Sequence, residues 1–465
     1  MGEKIGSRVF ALTALLLLLS GCAFSSPEEL YAVPRASEDY QNLQDQIDQV
    51  RSAGAEYAGP LQGTNTQPVQ LMDLDGDGVQ EAVAFFRTTA SDGTPPLKIY
   101  IYRQTSEGTY EVWNIIEGDG TAVNSIAYED LDGVTDVQGR PDKELVVSWR
   151  LSDKVYQLMA YSVRTPDAER LMNPVSYTEY ALWDMDKDNQ KEIVVLNLNT
   201  VDGISQADYY DYRDGQMVLQ SSAPLSSAIT GLISDSKPRT GFLNHNGVSE
   251  PALFVTSNLT TGIITDVFAW DGALVNVTYN PTTGISEGTL RLNNNIAIQD
   301  INGDGYLEVP KPTALPDTSS SGSADFWSVQ WVQYDLDGKA TVVYTTYYNG
   351  EDGWYLILPN EWLGKIALAR QDNTGSGERG VLFYPYTVGQ GGDSAQGKPF
   401  LAIYRLTGPN RVARAHTGER FVLLEQEDTI YAAELHADSG WECGVDQEGL
   451  KTLFHLIQTD WQSAS

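Results

Sequence analysis

The chain has 465 residues, with 63 acidic against 30 basic side chains and a formal net charge of −33 at pH 7. A chain this acidic repels the phosphates of DNA and RNA, and we therefore expect no nucleic acid as a partner. The chain contains two cysteines and four histidines, none in a metal-ligand spacing, which argues against a disulfide framework and against zinc chemistry.

The first 21 residues have the layout of a secretory signal peptide. Lys4 and Arg8 form a short positive region, and residues 11–19 form an apolar run too short to span a bilayer. The run ends in Leu-Ser-Gly-Cys22, which resembles the bacterial lipobox and implies cleavage before Cys22 and acylation of that residue. Because acyl chains hold a domain at a membrane surface, we expect an extracytoplasmic, lipid-anchored protein with residues 22–36 as its tether.

A helix is predicted over residues 37–58, directly after the tether. Ser37 is a candidate N-cap, Gly54 is a candidate stop signal, and the apolar residues between them recur at helical spacing. These apolar residues are Tyr40, Leu43, Ile47 and Val50. We interpret the helix as a strut packed on a larger domain, with docking of a partner as the alternative.

An Asp-rich loop follows and recurs along the chain at a nearly constant interval. Five copies begin at residues 73, 130, 184, 242 and 300, which are 57, 54, 58 and 58 residues apart. Residue 372 begins a candidate sixth copy of degenerate sequence. An interval this constant indicates one repeated unit and not several unrelated domains.

Each repeat is predicted to contain four short β-strands. In the first repeat the strands are residues 69–72, 82–86, 97–103 and 110–116, separated by turn signals. A lone sheet of this size has two faces to cover and too small a core, whereas sheets stacked around an axis cover each other. The pattern therefore predicts an all-β fold, a β-propeller with six or seven blades over residues 59–440.

A second helical segment is predicted after the propeller, over residues 441–465. Its apolar residues lie on one side of the helix. They are Leu450, Leu453, Phe454 and Ile457. This segment is also interpreted as a strut on the propeller.

The Asp-rich loops resemble the FG-GAP or VCBS repeats of integrin-α-type propellers. The signature of those repeats is Asp-x-Asp/Asn-x-Asp-Gly-x-x-Asp in a loop between two blade strands. The match is clear over residues 65–310 and weaker up to residue 435. The resemblance implies a propeller of FG-GAP/VCBS-type repeats, and the chain as a whole resembles uncharacterised VCBS-repeat lipoproteins of bacteria.

Alternate side chains of such a loop converge on one point, which suits Ca²⁺. Calcium takes six to eight oxygen ligands and tolerates irregular geometry, whereas Mg²⁺ demands a near-ideal octahedron. We expect side-chain ligands at loop positions one, three, five and nine and a backbone carbonyl at position seven. The expected ligands are Asp73, Asp75, Asp77, Val79 and Glu81; Asp130, Asp132 and Glu144; Asp184, Asp186, Asp188, Gln190 and Glu192; and Asp300, Asn302, Asp304, Tyr306 and Glu308.

Several features separate these loops from related patterns. Position nine is Glu where the family usually has Asp. An insertion interrupts the second loop, where Asp142 is a further candidate ligand. The fourth loop begins at Phe242 and is expected to bind no metal. An EF-hand is excluded, because its loop needs an acid at position twelve and flanking helices. Position twelve is Ala84 in the first loop and Lys311 in the fifth.

The chain contains no HExxH motif and no recognisable Ser/His/Asp grouping. We therefore expect a protein that is not an enzyme: a calcium-stabilised propeller that binds or scaffolds a protein or glycan ligand. Two alternatives stay open, a polysaccharide hydrolase or lyase with a site on a propeller face and an envelope assembly scaffold. Trp354, Trp362 and Trp441 are candidates for stacking on sugars, although packing in the core is the expected role for them.

Overall fold

The computed structural model describes residues 38–89, 95–136, 138–198, 205–232, 237–292, 296–318, 326–387, 394–395 and 397–457. The predicted signal peptide, Cys22, the tether and Ser37 lie outside these residues. Among the described residues, no helix is both long enough and apolar enough to cross a membrane. They are mostly β-structure in six antiparallel sheets, which confirms the predicted all-β class.

The chain divides into two compact units. The first consists of Met1–Gly59, Gln67–Asp73 and Gly78–Gly118, and the second of Pro60–Thr66, Leu74–Asp77 and Asp119–Ser465. The first unit contains sheet 1 and one helix. Its elements are α1 (Glu38–Ser52), β1 (Glu56–Tyr57), β2 (Val69–Met72), β3 (Glu81–Arg87), β4 (Leu97–Gln104) and β5 (Tyr110–Gly118). The strand order is β1-β3-β4-β5, with β2 also paired to β3.

Strands β2 to β5 of sheet 1 fall where the sequence places them, within two residues at each end. Helix α1 packs on this sheet through Leu43 and Ile47, which are 5% and 2% exposed. The helix ends earlier than predicted, at Ser52. Gly54 adopts a left-handed backbone with φ of +99°, which terminates the helix. Residues 56–57 then pair with β3 as a strand.

The second unit contains the other five sheets. Sheet 2 has β6 (Ala122–Glu129), β7 (Glu144–Ser152), β8 (Val155–Ser162), β9 (Glu169–Arg170) and β10 (Val175–Tyr177). Sheet 3 has β11 (Glu179–Trp183), β12 (Glu192–Asn197), β13 (Gln206–Arg213) and β14 (Gln216–Pro224). Sheet 4 has β15 (Gly231–Leu232), β16 (Arg239–His245), β17 (Val248–Leu259), β18 (Gly262–Trp270) and β19 (Leu274–Asn276).

Sheets 5 and 6 follow in the same unit. Sheet 5 has β20 (Val309–Ala314), β21 (Trp327–Tyr334), β22 (Ala340–Asn349), β23 (Trp354–Ile357) and β30 (Phe454–Leu456). Sheet 6 has β24 (Ile366–Asn373), β25 (Glu378–Thr387), β26 (Ser394–Ala395), β27 (Leu401–Thr407), β28 (Phe421–Glu425) and β29 (Thr429–Leu435). Two short helices, α2 (Arg411–Ala415) and α3 (Gln447–Leu453), complete the unit together with single 3-10 turns.

Consecutive sheets of the second unit share hydrophobic cores. Sheets 2 and 3 share one core, as do sheets 3 and 4, sheets 4 and 5, and sheets 5 and 6. Examples of residues that share a core are Val146 with Ile193, Val194 with Leu253, Phe254 with Val332, and Tyr347 with Phe383. Each inner sheet therefore buries both of its faces against a neighbour, which is where most of the stabilising apolar burial arises.

The C-terminal segment differs from its prediction. Helix α3 ends at Leu453, and Phe454 begins a strand that pairs with β23 at the edge of sheet 5. Phe454 is 5% exposed and lies beside the rings of Trp354 and Tyr431. Burial of this ring, together with the free edge of β23, favours the strand over a continued helix. Residues 458–465 lie outside the described residues.

Two of the three candidate sugar-stacking tryptophans are buried in the core, and the third, Trp441, is partly buried. Trp354 is 1% exposed and Trp362 is 0% exposed. Trp441 packs against Trp362 and Phe400, with ring centroids 6.1 and 4.5 Å away. Core packing is therefore confirmed for Trp354 and Trp362, and their stacking on sugars is wrong.

Candidate metal sites in the repeat loops

The third loop shows how the repeated sequence folds on itself. Asp184, at position one, accepts hydrogen bonds from the backbone N–H groups of Lys187 and Asn189 at 2.7 and 3.1 Å. Asp186 accepts from Asp188 N at 3.2 Å, one turn further on. Short acidic side chains favour such local turns because they bond to the backbone two or more residues ahead. The loop connects β11 to β12, so strands flank it, in agreement with the exclusion of an EF-hand.

The acids predicted as ligands in the third loop come together. Asp184, Asp186, Asp188 and Glu192 each place an oxygen within 4.8 Å of the others. Glu192, the first residue of β12, is 1% exposed. Its Oε2 accepts a hydrogen bond from Met185 N at 2.6 Å, and its Oε1 is buried without a hydrogen bond. Position nine therefore returns to its own loop, as the sequence predicts.

Burial raises the pKa of Glu192 to about 8, and the three aspartates of the loop add to the increase by repulsion. The pKa of Asp186 is raised as well, first by burial and then by Asp188. Like charges a few ångströms apart near a protein surface repel by kilocalories. A divalent cation among these oxygens would remove that repulsion and supply a partner for the buried carboxylate.

The fifth loop repeats the arrangement. Asp300, Asp304 and Glu308 form its cluster of carboxylates within 4.8 Å. Glu308 is 0% exposed, and its Oε2 accepts from Ile301 N at 2.8 Å. Burial raises the pKa of Glu308 to about 7. Asn302, at position three, accepts a hydrogen bond from Asp304 N through its Oδ1 at 3.1 Å.

In the second loop, too, the acid that begins the next strand turns back to the loop, despite the insertion. Asp130, Asp132 and Glu144 lie within 4.8 Å of one another. Glu144 begins β7, and its Oε2 accepts from Leu131 N at 3.0 Å. Burial raises the pKa of Glu144 to about 8. Glu144 therefore takes the role of position nine. Asp142 instead accepts a hydrogen bond through Oδ2 from Arg164 Nε at 2.8 Å.

The first loop is divided between the two units. In the first unit, Asp73 accepts from Gly78 N at 3.0 Å, and the buried Glu81 lies 3.8 Å from Arg103 Nε. In the second unit, Asp75 accepts from Asp77 N at 3.1 Å. Metal binding by this loop stays a prediction, as do the predicted carbonyl ligands Val79, Gln190 and Tyr306.

The strand next to β20 brings to the fifth loop a residue that sequence reasoning missed. Gln333 of β21 donates from Nε2 to Asp304 Oδ2 at 2.7 Å and to Glu308 Oε1 at 2.6 Å. Because a side-chain amide can present its oxygen after rotation, Gln333 is a further candidate ligand. Antiparallel register is the signal that would have found it, since Val309 pairs with Val332 and the next residues outward face each other.

The fourth loop lacks the aspartates of positions one, three and five but keeps an acid at position nine, Glu250, which forms an ion pair with Lys187 of the third loop. A different grouping lies beside it: His245, Asp335 and Asp337 place ligand atoms within 4.8 Å. His245 Nδ1 is buried without a hydrogen bond. Sequence spacing gave no sign of this grouping, because 90 residues separate His245 from Asp335.

Neighbouring loops of the second unit contact one another. Lys143 N donates to Leu74 O at 2.7 Å, which joins the second loop to the part of the first loop in this unit. Lys191 N donates to Asp130 O at 2.8 Å, which joins the third loop to the second. The hydroxyl groups of Ser249 and Tyr306 lie 3.1 Å apart and join the fourth loop to the fifth. The loops therefore form a connected row.

No protein-family model matches this chain, and a search of curated proteins returns no match. Among solved structures, the chain is similar to a protein from Lactobacillus plantarum, with 13% identity, a TM-score of 0.25, and coverage of 73% of this chain and 86% of that one. It is also similar to the exotype rhamnogalacturonan lyase YesX, with 10% identity, a TM-score of 0.25, and coverage of 71% of each chain.

A third similar structure is an exo-β-1,3-galactanase from Phanerochaete chrysosporium with galactose, with 9% identity, a TM-score of 0.22, and coverage of 86% of this chain and 91% of that one. At these identities and TM-scores, none of the three similarities assigns a substrate or a mechanism to this chain. The expectation that this chain is not an enzyme is nevertheless contradicted, because a lyase and a galactanase stand among these structures. That expectation is withdrawn.

Proposed function

We propose that this chain is an exported, lipid-anchored β-propeller of FG-GAP/VCBS-type repeats that binds Ca²⁺ in its third and fifth loops. The observation that carries the proposal is the buried Glu192, which turns back into its own loop among three aspartates within 4.8 Å. A buried carboxylate without a full set of partners is costly. Calcium suits the site because it accepts several carboxylates in irregular geometry.

Calcium in these loops would stabilise the sheets that carry them. The ligands at positions one to five belong to the loop, whereas Glu192 belongs to β12. One ion therefore links the loop to the strand whose apolar side chains form the core. Anchoring to the membrane at Cys22 and binding of a protein or glycan ligand belong to the same proposal, with a polysaccharide hydrolase or lyase and an envelope assembly scaffold as the alternatives.

Removal of one loop's ligand should remove one ion. Asp186→Ala takes away the carboxylate at position three of the third loop, so the number of bound Ca²⁺ ions should fall by one. Isothermal titration calorimetry on chelator-treated protein measures the number. Asn244→Ala, in the fourth loop that lacks the acids, is the matched control and should leave it unchanged. An equal count in wild type and Asp186→Ala would contradict the assignment.

Calcium binding should release protons near neutral pH. In the metal-free protein, burial raises the pKa of Glu192 to about 8, so this group holds a proton at pH 6 that calcium must displace. Calcium affinity should therefore rise with pH up to about 8, by at most about tenfold per pH unit for one displaced proton. Calorimetry in two buffers of different ionisation enthalpy measures the release. Glu192→Gln should abolish the proton release that Glu192 contributes. A calcium affinity that does not change between pH 6 and 8 would refute the prediction.

A further inference from the structure

The second loop differs from the third and fifth because a basic side chain already lies among its acids. Arg164, which follows β8, donates from Nη2 to Asp132 Oδ2 at 2.7 Å and from Nε to Asp142 Oδ2 at 2.8 Å. The same Nη2 lies 3.7 Å from Glu144 Oε1. The side chains of Asp132 and Glu144 are each 1% exposed. The guanidinium therefore neutralises acids that have almost no access to water.

We propose that Arg164 takes the place of calcium in the second loop, so that this loop binds no metal ion in the wild-type protein. The inference rests on the proposed function for the idea that the other loops hold Ca²⁺. A guanidinium presents several N–H donors in a fixed fork that matches carboxylate oxygens. Because it already donates to two of the acids, a calcium ion could enter only by displacing it.

Sheets 2 and 3 each have an arginine at an equivalent position, just after β8 (Arg164) and at the end of β13 (Arg213), and only Arg164 contacts the acids of its loop. In each sheet the arginine lies two residues beyond the residue that faces position nine. In sheet 2 the facing residue is Ser162, which is small, uncharged and 5% exposed. In sheet 3 it is Asp211, which is 3% exposed and forms an ion pair with Arg213 at 2.5 Å.

The difference between Ser162 and Asp211 explains why Arg164 contacts the acids of the second loop and Arg213 does not contact those of the third. Asp211 engages Arg213 beside the third loop, and the acids of that loop are left for a metal ion. Ser162 has no charge with which to engage Arg164, so the guanidinium reaches past it to Asp132 and Asp142. The residue opposite position nine thus selects between an internal cation and a bound one.

Arg164→Met tests the inference, because it removes the charge and keeps most of the side-chain length. The variant should bind one more Ca²⁺ ion than wild type in isothermal titration calorimetry. In EGTA its melting temperature should lie several degrees below that of wild type, and calcium should restore most of the loss. Arg213→Met is the matched control, because it removes an arginine from the same position of sheet 3 and should not raise the ion count.

An unchanged ion count in Arg164→Met would overturn the inference. If that variant does not fold, Asp132→Asn in otherwise wild-type protein decides: an unchanged ion count supports the inference, and loss of one ion overturns it. The proposed function fails separately, if wild type binds no calcium at all. In that case an ion bound by Arg164→Met alone would still support the role of Arg164.

Discussion

Removal of calcium with excess EGTA should lower the melting temperature of this protein by several degrees, and added calcium should restore it. A ligand present at 100 times its dissociation constant stabilises the folded state by about 2.7 kcal/mol per site. If the third and fifth loops are both occupied, the two sites together would contribute about 5 kcal/mol. The physical source is the buried acids at position nine, Glu192 and Glu308, which are 1% and 0% exposed. Without the ion, these carboxylates must keep a proton or repel their neighbours.

Differential scanning calorimetry in EGTA, in calcium and in magnesium measures this effect. Magnesium should restore little of the loss, because it demands octahedral geometry and gives up its waters reluctantly. The double variant Asp186→Ala with Asp304→Ala should show a much smaller calcium-induced shift than wild type. A melting temperature that is equal in EGTA and in calcium would count against the calcium sites altogether.

Trp362→Ala should destabilise the fold by about 3–5 kcal/mol, the usual cost of emptying a large aromatic site in a core. Trp362 is 0% exposed and lies among the rings of Phe383, Phe400 and Trp441. Its Nε1 donates to the backbone carbonyl of Cys443 at 2.8 Å. The substitution therefore leaves a cavity and removes a hydrogen bond to the C-terminal segment.

Urea unfolding followed by circular dichroism measures this loss. Trp362→Phe keeps most of the ring volume and loses the indole N–H, so it should cost less than Trp362→Ala. Val342→Ala, at a position that is 49% exposed, should change the stability by no more than about 0.5 kcal/mol. If Trp362→Ala kept wild-type stability and lost only glycan binding, the core assignment of this side chain would be mistaken.

The sequence was most informative where local chemistry determines local structure. Alternating apolar runs and turn residues placed strands β2 to β5 of sheet 1 within two residues of their observed ends. The spacing of the acids correctly predicted that Glu192 and Glu308 lie beside the aspartates of their own loops. A loop this short leaves the side chain at position nine few other places to lie. The insertion in the second loop did not prevent the same placement of Glu144, whose Oε2 accepts from Leu131 N at 3.0 Å.

The sequence was uninformative where the outcome depends on pairing between distant strands. Gln333 reaches the fifth loop because β21 pairs with β20 in a fixed register, and Arg164 reaches the second loop because β8 pairs with β7. Neither residue belongs to the repeated motif, so spacing alone could not identify it. The strand at residues 454–456 was missed for a similar reason, since β23 offers it an edge that the local sequence does not encode.

The hydrogen bonds between adjacent loops have a consequence for how calcium acts. Lys191 lies between the predicted ligands Gln190 and Glu192 of the third loop, and its N–H donates to Asp130 O, which belongs to the second loop. An ion that orders the third loop would therefore also restrict the backbone of the second loop. Occupancy at one position should make its neighbour less mobile even where that neighbour holds no ion. Neighbouring loops would then open together, and the frequency of this opening would depend on the calcium concentration around the protein.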